Sequence, residues 1–115
     1  MKKWKVKVNF FKTNVEKEAD YNTVGFRKIV INKLLIISDL LNKFNKPILH
    51  IDTDVVVLSN KLDLEINVLC KKKFDIIFQS DHTNFGITKN RCSGFMLLNN
   101  TRNTLSCLKQ SIELI

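Results

Sequence analysis

Proline and glycine are scarce in this chain: one proline, Pro47, and three glycines among 115 residues. No stretch is rich enough in either to act as a linker, and no repeat or low-complexity segment breaks the sequence. One small domain around one core is therefore expected. Cysteine is scarce too. Cys70, Cys92 and Cys107 are odd in number and their spacings match no metal motif, which excludes a disulfide framework and a zinc site and points to reduced, packed thiols. No apolar run is long enough for a membrane span, and the basic start, Met1 to Lys7, is not followed by the apolar stretch of a cleaved leader. A cytoplasmic location is the expectation. Aromatic residues are few near the one tight basic cluster, Lys71, Lys72 and Lys73, so bases would find little to stack on. The net charge of +8 is spread over scattered lysines in a chain also crowded with Asn and Ile, as an AT-rich coding sequence produces. That pattern argues against a nucleic-acid partner. Acidic residues are missing from the last third: after Asp81 only Glu113 remains.

What the chain does have is an apolar run, Ile48-Leu49-His50-Ile51-Asp52-Thr53-Asp54-Val55-Val56-Val57-Leu58, interrupted by two carboxylates. The run reads as a buried strand, and a buried unpaired carboxylate is strongly disfavoured. The two aspartates are thus expected where the strand leaves the core, met by something positive. In an extended chain, residues i and i+2 share a face about 6.5 Å apart, so Asp52 and Asp54 would converge on one divalent cation or polar ligand while Thr53 points away. Open α/β sheets bind ligands just beyond the carboxyl ends of their strands.

The rest of the chain supplies a scaffold. Residues 4–11 alternate Lys or Asn with Trp4, Val6, Val8 and Phe10, predicting a half-buried edge strand, and residues 12–22 read as a loop. Phe26, Val30, Leu34, Ile37, Leu41 and Phe44 recur at steps of three and four, predicting an amphipathic helix over 23–44. Asn22 or Thr23 would cap it, and Pro47 forbids its continuation. Residues 48–51 read as the central strand, 55–58 as a short extended continuation, 59–73 as ambiguous, and 74–79 as another strand. Residues 80–91 read as a polar loop holding His82, and 94–99 as a fourth strand. Asn100 or Thr101 would cap a last helix through Leu105, Leu108, Ile112 and Ile115. This alternation predicts an α/β layer fold with a mixed, mainly parallel sheet flanked by helices.

An Asp-x-Asp after an apolar strand serves two chemistries. In nucleotide-sugar glycosyl transfer, carboxylates hold Mg²⁺ or Mn²⁺ against the charge that develops on a diphosphate leaving group. In phosphoryl transfer, Asp52 would attack phosphorus and Asp54 would act as acid and base. Asp52 to Val56 satisfies the Asp-x-Asp-x-Thr/Val pattern of haloacid-dehalogenase-like phosphatases. Those enzymes also need a downstream acidic pair, which this chain does not contain.

The chain resembles the central part of GT-A glycosyltransferases, and within them the nucleotide-diphospho-sugar transferase group, with kinship to glycogenin-like enzymes. Four segments carry the resemblance: Lys33-Leu34, the run from Ile48 to Asn60, Phe74 to Asp81, and Cys92-Ser93-Gly94-Phe95-Met96-Leu97-Leu98-Asn99. The resemblance implies a nucleotide-diphospho-sugar donor, an acceptor that is a glycan, protein or lipid, and a Mn²⁺ or Mg²⁺ cofactor. It implies that Asp52 lies near the ribose and the metal, and that Asp54 binds the metal directly. Lys33 would face the donor from the helix, and Asp81 would lie on the sugar side. Ser93 and Gly94 would let the backbone approach the sugar closely.

The chain departs from the family pattern at Cys92, where Asn is usual. The nucleobase-binding βαβ unit is missing or reduced to residues 4–11, and the family's region after the last strand is missing. A partial, truncated domain over residues 1–115 is the expectation. A non-catalytic, degenerate relative stays open as an alternative beside the phosphatase. His50, inside an apolar strand, reads as a satisfied core histidine.

Overall fold

The computed structural model describes residues 23–83 and 86–115, with the side chains of 81–83 and 86–90 left out of account. The strand expected at residues 4–11 and the loop at 12–22 lie outside the described residues. Three helices and three strands follow in the order α1 (Val24–Phe44), β1 (Ile48–Ile51), α2 (Lys61–Cys70), β2 (Ile76–Thr83), β3 (Gly86–Leu98) and α3 (Arg102–Leu114).

Helix α1 starts and stops where its sequence dictates. The Thr23 hydroxyl accepts a hydrogen bond from the Phe26 amide at 3.2 Å, satisfying one of the unpaired donors of the first turn. At the other end Asn45 takes the left-handed conformation (φ 48°) and its amide closes on the Leu41 carbonyl at 3.0 Å, with Pro47 just beyond. Leu34, Ile37 and Leu41 of α1 are buried against Met96 and Leu98 of β3 and Leu108 of α3. Val30, Ile48, Ile76, Leu105 and Ile112 pack around this core. Phe44 and Ile115, expected on the inward faces, are exposed at the ends of their helices. At its own start α3 is capped by the Thr101 hydroxyl, which accepts from the Thr104 amide at 3.1 Å.

The sheet differs from expectation in three ways. Its strand order is β1-β3-β2, so β3 is central and β1 is an edge strand among the described residues. Both ladders are antiparallel, where the helix–strand alternation predicts mainly parallel ones. The reason is that β2 and β3 are consecutive and joined by two residues, which permits only antiparallel pairing. β1 and β2 do run in the same direction, but β3 is inserted between them. Residues 80–91 are not a loop: β2 and β3 extend through most of them as a paired ribbon, with register shifts at Phe78/Gln79 and at Ser80/His82. A polar ribbon has no apolar face, so periodicity does not reveal it.

Residues 55–59 form no ladder. The ambiguous segment resolves as α2, whose Leu62, Ile66 and Leu69 are half-buried while Leu64 and Val68 face solvent. Leu62, Ile66 and Leu69, the 55–59 segment and Ile77, Phe95 and Leu97 line an open cleft of about 520 Å³.

Candidate functional site

The register of β1 on β3 decides which side chains meet. His50 pairs with Met96 and Ile51 with Phe95, and the next step is carried by the Asp52 amide, which donates to the Gly94 carbonyl at 2.8 Å. Asp52 is therefore the residue at which β1 ends, opposite Gly94. Side chains of a strand alternate between faces, so His50 and Asp52 share the face that carries Met96 and Leu98, against which α1 packs. Helix α1 brings Lys33 to that face, one residue before the buried Leu34.

The result is a cluster around one oxygen. His50 Nε2 lies 2.8 Å from Asp52 Oδ1, and Lys33 Nζ lies 3.4 Å from the same atom. A carboxylate only accepts, so the His50 nitrogen that faces it is the protonated one. His50 and Lys33 are mostly shielded from water, with 17% and 23% of their side chains exposed, and Asp52 keeps 39%. Burial pushes the Asp52 pKa up, but the His50 hydrogen bond and the Lys33 charge outweigh it and hold the carboxyl below its ordinary value. A positive group, Lys33, and a ring N–H donor thus meet Asp52 where it ends an apolar strand.

The second oxygen, Oδ2, makes no hydrogen bond among the described residues and faces Gly94. A Cβ on Gly94 would stand 3.0 Å from Oδ2 and 3.4 Å from the Cys92 sulfur. The missing side chain leaves the space that Oδ2 takes up against this buried residue of β3. Cys92, half-buried and free, is thus a neighbour of the cluster, not only a packing residue.

Asp54 is placed differently. The chain does not stay extended through the pair: the Val55 amide donates to the Asp52 carbonyl at 3.2 Å, which makes residues 52–55 a turn. The face-sharing expected of an extended i, i+2 pair does not apply. Asp54 is exposed, with no ion pair or hydrogen bond to a described residue. Ser93 is exposed beside Gly94. The backbone of Asp81 lies in β2, and its side chain is outside the described residues.

The donor set suits a hard divalent cation. Asp52 Oδ2 has no hydrogen-bond partner among the described residues, and the Asp54 carboxylate is solvated. No group of three or more His, Cys, Asp or Glu side chains gathers among the described residues, so ligand oxygens and water would complete the shell. Sequence reasoning placed Lys33, Asp52 and Gly94 in one site, and the geometry brings them together. It missed His50 as a member. The available signal was the His-x-Asp spacing, which puts both side chains on one face of a strand.

A family model described as nucleotide-diphospho-sugar transferase matches residues 1–113. No curated protein and no solved structure matches the chain significantly.

Proposed function

The chain belongs to the nucleotide-diphospho-sugar transferase family, and on that premise we propose that it moves a sugar from a nucleotide-diphosphate donor to an acceptor, using a divalent cation held at Asp54 and Asp52. The observation that carries this reading is the unpartnered Oδ2 of Asp52 beside Gly94 at the end of β1, with the solvated Asp54 in the turn that follows. Mn²⁺ or Mg²⁺, when bound, supplies a Lewis acid that neutralises charge on the leaving diphosphate.

The chain's own residues divide the remaining work. Asp54 is solvated and unengaged among the described residues, so it can turn to a cation without breaking an existing bond. Asp52 offers one oxygen and is held by the other. Lys33 places a positive charge next to it, on the side from which an anionic donor would be attracted. Ser93, exposed beside the buried Gly94, offers a small surface for close approach of the sugar. Asp81 is assigned to the sugar side by resemblance. The acceptor would be a glycan, protein or lipid. The antiparallel trio β1-β3-β2 with α1 behind it is read as the central part of a GT-A-like domain.

Thermal unfolding tests the proposal. Wild type and Asp54→Ala are heated with UDP-glucose or a GDP-sugar, with and without Mn²⁺. A ligand at about 100 times its dissociation constant stabilises the native state by about 2.7 kcal/mol, enough to shift the midpoint by several degrees. A shift that requires both the metal and Asp54 is the expected result. A cooperatively folded wild type that shifts with no donor refutes the reading.

A further inference from the structure

We propose that His50 is a positioning residue, which fixes the Asp52 carboxylate so that only Oδ2 is presented to a bound cation and diphosphate. The inference rests on the reading of the site given above and goes beyond it, since that reading assigns His50 nothing.

Three observations on different elements support it. First, the His50 Nε2 to Asp52 Oδ1 distance of 2.8 Å is the shorter of the two contacts to that oxygen, and Lys33 at 3.4 Å is the looser one. A short hydrogen bond to a charged acceptor is stronger and more directional than a long one. Second, the two residues are anchored on one rigid piece of backbone. His50 sits in the β1–β3 ladder opposite Met96, and the Asp52 amide is tied to the Gly94 carbonyl at 2.8 Å. The ring therefore approaches the carboxylate from a fixed direction. Third, the free oxygen is left facing a glycine of β3, 3.0 Å from where a Cβ on Gly94 would stand. A half-exposed aspartate ordinarily samples several rotamers. Here the ring holds one oxygen and Gly94 leaves space for the other, so a single orientation is selected.

Lys33 alone would not do this. Its ammonium is a compact charge on a flexible stem, attracted to either oxygen. The planar imidazole, held in a strand, distinguishes one from the other. Partners that orient a metal ligand in this way change metal affinity by about ten- to a hundred-fold when removed.

The test compares wild type with His50→Phe, which keeps a planar ring without a donor, and His50→Gln, whose amide nitrogen restores a donor near the Nε2 position. Free Mn²⁺ is followed by electron paramagnetic resonance as the full chain is titrated in with UDP in one arm and GDP in the other. The expected result is Mn²⁺ affinity about ten- to a hundred-fold weaker in His50→Phe, with His50→Gln close to wild type. Wild-type affinity in His50→Phe overturns the inference and leaves the proposed function standing. Equal loss in both variants also overturns it, because ring packing and not the hydrogen bond is then responsible. No Mn²⁺-dependent binding by wild type in either arm overturns the proposed function and the inference with it. The bond has a second, ligand-free readout that does not depend on a variant folding. A long-range ¹H–¹⁵N spectrum of wild type is expected to show a proton on Nε2 of His50, and a ring with its only proton on Nδ1 overturns the inference.

Discussion

Asp52 and Asp54 are one residue apart in sequence and opposite in surroundings. Asp52 is bound by two nitrogen groups at the end of a strand, and Asp54 is a solvated residue of the turn that follows. Conservative amides should separate their roles. Asp54→Asn removes a charge that no described residue pairs with, so the unfolding midpoint without ligand should stay within a degree or two of wild type while metal-dependent stabilisation by donor disappears. Asp52→Asn should lower both, since it weakens the attachment of Lys33 and His50 to β1. Gly94→Ala asks about space alone. The new methyl would meet Oδ2 at 3.0 Å, a contact that the carboxylate must turn to relieve. Alanine also stiffens the strand relative to glycine, which offsets the crowding. The midpoint should therefore move little while Mn²⁺-dependent nucleotide binding, read by titration calorimetry, weakens at least several-fold. Asp52 was legible from residue type and spacing, and Lys33 and Gly94 only from the family resemblance. The turn at 52–55 was less so: aspartates favour turns, but the apolar flanks argue for a strand that stays extended through the pair.

Elements were legible in proportion to how one-sided they are. α1 and α3 carry strong apolar stripes with capping residues in place, and both form where the spacing predicts. α2 was not readable because Leu62, Leu64, Ile66 and Val68 alternate, as in a strand, and only the fold selects Leu62, Ile66 and Leu69 as the inward set. Also hidden was the junction of β2 with α3. Asp75, just before β2, accepts hydrogen bonds from the Thr101 hydroxyl and the Asn103 amide in the first turn of α3, while its carbonyl accepts from the Asn99 amide and the Thr104 hydroxyl. The Thr101 bond, then the Asn103 bond, and finally the Lys73 charge outweigh slight burial and hold the Asp75 carboxyl below its ordinary value. A depressed folded pKa gives stability that is complete above the ordinary carboxylate value of about 4 and is lost as pH falls through the folded value. Asp75→Asn should therefore unfold at a lower temperature than wild type near neutral pH. The gap should close as pH falls through the depressed folded value, where wild type is itself protonated. A constant gap across a pH series of melting curves would show that the carboxylate charge contributes nothing to this junction. At the start of α1, Thr23→Ala removes the acceptor for the Phe26 amide and should destabilise the chain by about 1 kcal/mol, measured by urea denaturation.

At the scale of the whole molecule, the order of most described elements was readable and their pairing was not. Periodicity says which segments are strands, but it does not say that β3 lies between β1 and β2 or that a polar ribbon extends the sheet beyond its apolar part. The net charge is a property of the same scale, and it has a consequence that no single residue carries. A chain of +8 produces a positive field through which a nucleotide diphosphate must approach. Such a field accelerates encounter more than it holds the bound ligand, and salt screens it over about 10 Å at 0.1 M. Under the proposed function, raising salt from about 50 to about 500 mM should slow association of a Mn²⁺–UDP complex several-fold and change dissociation little. Stopped-flow fluorescence with a labelled nucleotide separates the two rates. Replacing Lys71, Lys72 and Lys73 with Glu lowers the net charge from +8 to +2, three reversals of two charges each, without touching Lys33, His50, Asp52 or Asp54. That variant should bind more slowly at low salt and converge on wild type at high salt. If salt acts instead on dissociation, the attraction is local, and the Lys33 ammonium beside Asp52, not the field of the whole chain, is what draws the anionic ligand in.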